Sequence, residues 1–366
     1  MLDSTPRRTA LRWLRAPRAA RSVHAARSVH AARPVRAVLA GAVASALASA
    51  VLVVVTPSQA AAAYPNPGLV TGDITGVHDP GIVKAPNGTY ILVTTGNWLE
   101  IRTSTDRINF RRVGSVWASG QPTWTFPYTL PNNRSYLWAP DISYRNGQFY
   151  LYYAASSFGS QRSAIFLATS PTGLPGTWTH RGLVIETSNA NDYNAIDPNL
   201  IVDAQGRWWL TLGSFWTGIK LIRIEPSTGL RHATDRAVRS LARRTANSGS
   251  VEAPFLFRHG SFYYLFVSFD FCCRGTSSTY RTMVGRSSSI TGPYVDRNGV
   301  QMMNGGGTEI MATHGSIFGP GHPAVFTDVD ADVFVYHYYW TNNPPTNGKL
   351  GINLISWDSG GWPVVF

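Results

Sequence analysis

Five residues far apart in the chain, Asp79, Trp138, Asp197, Glu252 and His322, stand at intervals of 59, 59, 55 and 70, each near a proline and ahead of an aromatic-rich stretch. Brought together, they would form a site of three carboxylates, one imidazole and one large aromatic face. Two carboxylates in unlike surroundings can cleave a glycosidic bond: one protonates the leaving oxygen while the other activates water or attacks carbon. A third carboxylate nearby raises the pKa of the acid by like-charge repulsion and keeps it protonated near neutral pH. Taken singly, an Asp before Pro, as at Asp79 and Asp197, commonly does no more than start a turn. Glu252 has no such duty, and a site that tolerates crowded acids usually uses them.

A repeat would position these residues. The stretches "HDPGIVKAPNGTYILVTT", "WAPDISYRNGQFYLYYAA", "IDPNLIVDAQGRWWLTLG", "VEAPFLFRHGSFYYLFVS" and "GHPAVFTDVDADVFVYHYY" each set a short polar turn between two apolar segments, which is the hairpin signature. The turn glycines Gly88, Gly147, Gly206 and Gly260 are 59, 59 and 54 residues apart, and the fifth copy has Asp330-Ala331 at its turn. A period of about 60 residues leaves room in each unit for a four-stranded sheet, and radial repetition of such sheets makes a β-propeller. The expected fold class is therefore all-β, a five-bladed β-propeller with the active site on the central axis. Its innermost strands would line that axis, so the five spaced residues become a ring of equivalent positions. Trp138 on the ring and Phe158 in the loop "SSFGS" are the candidates for an aromatic groove that packs against sugar, and the other Trp and Tyr residues read as blade core.

Charge and composition support this plan. The chain of 366 residues carries a formal charge of +12, but residues 1–36 hold nine Arg against the single acid Asp3. The run "AVLAGAVASALASAVLVVV" and then "TPSQAAAAYP" follow, so residues 1–60 read as a secretory leader. Arg7-Arg8 permits a twin-arginine route, and the apolar run has the alternative reading of a membrane anchor. The rest of the chain has 23 basic and 19 acidic residues, no nucleic-acid footprint. Residues 64–366 contain no linker rich in Ser, Thr or Pro and read as one catalytic domain, secreted, monomeric and free of the membrane after leader cleavage. The two cysteines, Cys272 and Cys273, are adjacent, so they form either a vicinal disulfide or a pair of buried thiols. A core of this size needs no disulfide framework.

In this order and spacing, "VHDPG", "LWAPD", "NAIDPN", "SFWTGIKL", "VEAP", "FDFCCRG" and "GPGHPAVF" resemble the endo-1,5-α-L-arabinanases of glycoside hydrolase family 43. The resemblance covers essentially all of residues 70–366. "DP" or "EAP" alone would carry little weight, whereas the ordered set is specific, and "GPGH" with "CCRG" favours the arabinanase branch over xylosidases and arabinofuranosidases. It implies an inverting mechanism with Asp79 as general base, Glu252 as general acid, and Asp197 orienting Glu252 and raising its pKa. It also implies a calcium ion on the axis contacted by His322. A His is an unusual ligand for a hard, oxygen-seeking cation, and the residues alone support a hydrogen-bonding His beside the acids equally well. Sugar contacts at His78, Asn194 and Ser214 are implied too, while His337, inside an apolar strand, reads as structural.

The substrate implied is arabinan or its oligosaccharides. An exo-acting α-L-arabinofuranosidase or β-xylosidase of the same fold is the alternative within the enzyme class. A sugar-binding propeller without turnover is the alternative outside it, disfavoured because lectin propellers repeat one site per blade and this ring differs in every blade.

Overall fold

The computed structural model describes residues 64–366 apart from 97, 131–135, 343, 345 and 346; the leader assigned to residues 1–60 lies outside the described residues. No helix among them is long and apolar enough to cross a membrane. The strands form five sheets, one per blade. Blade 1 contains β1 (Thr71–Gly72), β2 (Gly81–Lys84), β3 (Tyr90–Thr94), β4 (Glu100–Ser104) and β5 (Asn109–Ser115). Blade 2 contains β6 (Trp138–Arg145), β7 (Gln148–Ala155), β8 (Ser163–Ser170) and β9 (Thr179–Thr187). Blade 3 contains β10 (Asn199–Val202), β11 (Trp208–Leu212), β12 (Ile219–Ile224) and β13 (Arg239–Ala242). Blade 4 contains β14 (Val251–His259), β15 (Phe262–Phe269), β16 (Arg281–Ser287) and β17 (Thr308–Met311). Blade 5 contains β18 (Phe318–Thr327), β19 (Asp332–Tyr339), β20 (Lys349–Trp357) and β21 (Pro363–Val365). Each blade is an antiparallel meander, with the small β1 added parallel to β5 at the edge of blade 1. The hairpins read from the sequence are the first two strands of each blade.

The second strand of each blade is apolar along most of its length because both of its faces are covered. In β3, Ile91 and Val93 pack toward blade 2 while Tyr90 and Leu92 pack toward blade 5. In β19, Val333 and Val335 face blade 1, and Phe334, Tyr336 and Tyr338 face blade 4. Side chains alternate across a strand, so the polar residues at the end of such a strand continue one of these two faces. His337 and Tyr339 share the parity of Val333 and Val335 and therefore reach toward blade 1.

The ring closes where the last blade meets the first. The segment before β2 lies along β20, with Gly68 N–H donating to Ile352 O (2.8 Å) and Val77 N–H to Gly348 O (3.1 Å). At the opposite end of β18, the Asp328 side chain is only 1% exposed and accepts from Lys84 Nζ (2.5 Å), Tyr90 Oη (2.5 Å) and Arg107 Nη1 (2.7 Å), all in blade 1. Arg107 also grips Asp330 through two bonds of 2.8 and 2.7 Å.

Near the start of every inner strand lies a residue in the left-handed region immediately before a proline: Asp79 (φ 48°), Ala139 (45°), Asp197 (55°), Ala253 (53°) and His322 (52°). Non-glycine residues rarely adopt this backbone, and it clusters at functional sites. These five are the equivalent positions. Trp138 and Glu252 therefore stand one residue before the equivalent position, since the turns of blades 2 and 4 are shorter than those of blades 1 and 3, and the strand pairing skips residues beside them. The pairs Glu252 with Ser268 and Phe255 with Phe266 bracket one such bulge, and Trp138 with Ala154 and Asp141 with Tyr152 another. Bulges of this kind re-aim side chains. The left-handed N–H donates to a side chain of the preceding blade: Ala139 to Thr95 Oγ1 (2.8 Å), Ala253 to Asp197 Oδ2 (2.9 Å), His322 to Ser268 Oγ (2.8 Å) and Asp79 to His337 Nδ1 (3.1 Å).

Candidate active site

At the start of the inner strands these bonds assemble a polar cluster on the axis. Asp79 is its centre. Its Oδ2 accepts from Thr95 Oγ1 (2.6 Å) and faces His78 Nδ1 (2.9 Å), while Oδ1 faces His322 Nδ1 (3.0 Å). Burial alone would raise its pKa, but the two imidazoles overcome that and hold the carboxyl well below the usual carboxylate range. His322 is moved in step. Burial would lower it, and the charge of Asp79, followed by those of Asp197 and Glu252, raises it to about 9.

Glu252 sits in the opposite electrical environment. Burial raises its pKa, opposed by hydrogen bonds from Ser214 Oγ (2.6 Å) and from the Tyr280 hydroxyl, and reinforced by the charge of Asp79. When Glu252 carries a proton, one of these hydroxyls must turn to accept it. Room for Tyr280 comes from Gly321, which occupies in blade 5 the position of Trp138 and Glu252. A Cβ there would lie 2.4 Å from Tyr280 Cδ2 and 2.9 Å from Ser268 Oγ. Asp197 bonds the backbone N–H of Ala253, the residue next to Glu252, and burial lifts its pKa to about 7, with His322 opposing and Glu252 and Asp79 adding to the rise. Burial and nearby carboxylate charge thus favour the protonated form of both Glu252 and Asp197.

The remaining residues singled out in the sequence are placed as follows. His78 is in the cluster, stacked on His337 with ring centroids 3.9 Å apart. Ser214 is in the cluster through Glu252. Trp138 and Phe158 pair with centroids 5.0 Å apart, and Phe158 is 76% exposed, so together they offer an open aromatic face. Asn194 is buried and its Oδ1 accepts from Ser163 Oγ (2.5 Å); no hydrogen bond among the described residues links it to the carboxylates. Cys272 and Cys273 form a vicinal disulfide, which resolves the two readings left open by their adjacency.

Several members of the cluster had escaped the sequence reading. Thr95 and Tyr280 carry no spacing signal. His337, expected to be structural, is fully buried and caps the backbone of Asp79. Its spacing of two from Tyr339 in an apolar strand was a usable sign that both point to one side.

A cation on the axis would use His322 as a neutral imidazole, with the Nδ1 proton toward Asp79 and Nε2 stripped of the proton it carries when no ion is bound. His322 makes its side-chain contact through Nδ1, and Nε2 has no hydrogen-bond partner among the described residues. No group of three ligand atoms among those residues includes His322; the groups that occur are His78 with Cys272 and Cys273, and His78 with Asp79 and His337. Calcium takes six to eight oxygens, so this donor set fits an ion held through water with His322 as its one protein ligand, and does not fit an all-protein cage.

The description Glycosyl hydrolases family 43 matches residues 74–363. The extracellular endo-α-(1→5)-L-arabinanase 1 of Bacillus subtilis (strain 168) is 42% identical over 292 residues, covering 78% of this chain and 87% of that protein. The extracellular exo-α-(1→5)-L-arabinofuranosidase ArbA of Cellvibrio japonicus is 38% identical over 304 residues, with 79% and 86% covered. Among solved structures, the family 43 endo-arabinanase from Bacillus licheniformis superposes with a TM-score of 0.73 at 42% identity, covering 81% of this chain and 99% of that one. A five-bladed propeller with three carboxylates on its axis, matched along almost the whole described chain, makes this protein a glycoside hydrolase of family 43.

Proposed function

We propose that this chain is a secreted endo-1,5-α-L-arabinanase that hydrolyses the backbone linkages of arabinan with inversion of configuration. The observation that carries the reading is the opposite tuning of two carboxyls in one cluster: Asp79 is held anionic by its imidazoles against the effect of burial, and Glu252 is raised by burial. Inverting hydrolysis needs this division, with the two groups about 6.5–9.5 Å apart to admit a water. Asp79 takes a proton from that water as its oxygen bonds to the anomeric carbon. Glu252 gives its proton to the leaving oxygen as the glycosidic bond breaks. Proton exchange with solvent then restores both carboxyls.

Asp197 acts through Glu252, fixing the backbone beside it and discouraging its ionisation. Trp138 and Phe158 pack against the sugar, His78 and Ser214 line the cleaved residue, and Asn194 supports the neighbouring loop through Ser163. A calcium ion at His322 would supply positive charge and an ordered water shell near the acids. Secretion rests on the leader composition and on the extracellular relatives.

An exo-acting reading has one observation in its favour, the exo-acting relative from Cellvibrio japonicus. The time course of products from linear arabinan separates the two, since endo cleavage gives a ladder of oligosaccharides from the first minutes and exo cleavage gives one small product. Proton NMR of the first product tests inversion, because an inverting enzyme releases the β-anomer from an α-linkage.

A further inference from the structure

Behind His78 lies a set of groups that the hydrolysis above leaves unused: the hydroxyl of Tyr339, the imidazole of His337 and the Cys272–Cys273 disulfide. The proton directions in this set follow from one fixed donor. The backbone N–H of Asp79 donates to His337 Nδ1 (3.1 Å), so that nitrogen is bare and the neutral ring carries its proton on Nε2. From there it donates to Tyr339 Oη at 3.3 Å, and the backbone N–H of Cys273 donates to the same oxygen at 2.9 Å. With both lone pairs of Oη engaged, the O–H of Tyr339 goes to its remaining neighbour, His78 Nε2, at 2.6 Å. His78 therefore accepts at Nε2 and carries its proton on Nδ1, directed at Asp79 Oδ2 at 2.9 Å.

We propose that Tyr339, aimed by the Cys272–Cys273 disulfide, is the positioning residue for Asp79: it fixes His78 as the Nδ1–H tautomer, and that imidazole orients the carboxylate that activates water. The disulfide takes part through the backbone. It ties down Cys273 in the left-handed region (φ 68°), which non-glycine residues adopt uncommonly, and this conformation presents the Cys273 N–H to Tyr339. Its Sγ also packs 3.7 Å from His78 Nε2. A dithiol reagent would replace the S–S bond by two thiols and leave as its own cyclic disulfide. Cys273 is then free to leave the left-handed region, Oη regains a lone pair, and His78 is no longer confined to one tautomer.

The proposal rests on Asp79 being the base, so Asp79→Asn is assayed in parallel. In the full-length secreted enzyme with 15N-labelled histidine, the His78 signals are expected to show a protonated Nδ1 and a bare Nε2. Tyr339→Phe is expected to mix the tautomers and lower kcat roughly 10- to 100-fold, the loss that follows when the partner orienting an imidazole is removed, with KM within about two-fold. A purely structural role would move the melting temperature without moving the tautomer. If Tyr339→Phe does not fold, wild type reduced by dithiothreitol replaces it, with two titratable thiols verifying reduction; kcat should fall and return on reoxidation. A wild-type His78 protonated at Nε2, or an unchanged kcat in folded Tyr339→Phe or in the verified reduced enzyme, would overturn the proposal. Full activity in Asp79→Asn would instead overturn the reading of the base, and an inactive Asp79→Asn beside a normal Tyr339→Phe would overturn the positioning role alone.

Discussion

Removing the carboxylate of Asp328 should loosen the joint that closes the propeller. Its oxygens accept from Lys84, Tyr90 and Arg107 of blade 1 while its side chain is 1% exposed. In Asp328→Ala, Arg107 keeps Asp330 and Lys84, at 29% exposure, reaches water, but the Tyr90 hydroxyl loses its acceptor. The cost thus lies between that of an exposed ion pair and that of a broken buried one, about 2–4 kcal/mol. At roughly 2 °C per kcal/mol for a domain of this size, the melting temperature should fall by about 4–8 °C at pH 7. The pH dependence has a definite sign. Burial would raise the Asp328 pKa, but the bonds from Lys84 and Tyr90 prevail and hold it well below the usual range. A depressed carboxylate stabilises fully above its unfolded pKa and loses that contribution as pH falls. The gap between wild type and variant should therefore narrow below about pH 4, by about 1 kcal/mol at pH 3. Calorimetry across pH 3–7 measures it, while kcat at 25 °C should stay within about two-fold, since both proteins remain folded there. A gap under about 2 °C at pH 7, or one that does not narrow in acid, would refute the reasoning.

Ser214→Ala removes a donor to Glu252, which raises the pKa of that acid; activity is lost as pH rises through this pKa, so the alkaline limb of kcat/KM should move to higher pH, and a shift to lower pH would be inconsistent. Gly321→Ala forces a methyl against Tyr280 and Ser268, and should cost about 1–3 kcal/mol of stability while displacing the Tyr280–Glu252 bond and lowering kcat/KM. Chelation should lower both activity and melting temperature, with calcium restoring them, and His322→Ala should be indifferent to the chelator; a wild type indifferent to chelation would remove the ion from the site.

The blades were legible because the Xaa-Pro starts of the inner strands recur in sequence, and the same feature marks Asp79, Asp197 and His322. The register of Trp138 and Glu252 was misjudged by one residue because counting from the turns assumes turns of equal length, whereas five residues join the first two strands in blades 1 and 3 and two residues join them in blades 2 and 4. The second layer of the site was hidden for a different reason. Thr95, Ser268 and His337 act on the following blade from strand ends, and that relation becomes visible only once the blades are packed side by side. Tyr280 reaches Glu252 only because Gly321 leaves space beside it, a contact between residues with no periodic relation. The vicinal disulfide was not legible in the sequence, since adjacency of Cys272 and Cys273 permits both redox states.

The division of labour between Glu252 and Asp79 is tested most directly by comparing each variant on two leaving groups. Initial rates of Glu252→Gln and Asp79→Asn are measured on linear arabinan and on a 2,4-dinitrophenyl α-L-arabino-oligosaccharide, whose leaving group departs without protonation. Glu252→Gln should lose about 10²–10⁴-fold on arabinan yet approach the wild-type rate on the activated substrate, whereas Asp79→Asn should fail on both. Equal losses on both substrates for Glu252→Gln, or activity of Asp79→Asn on either, would contradict the assignment of acid and base.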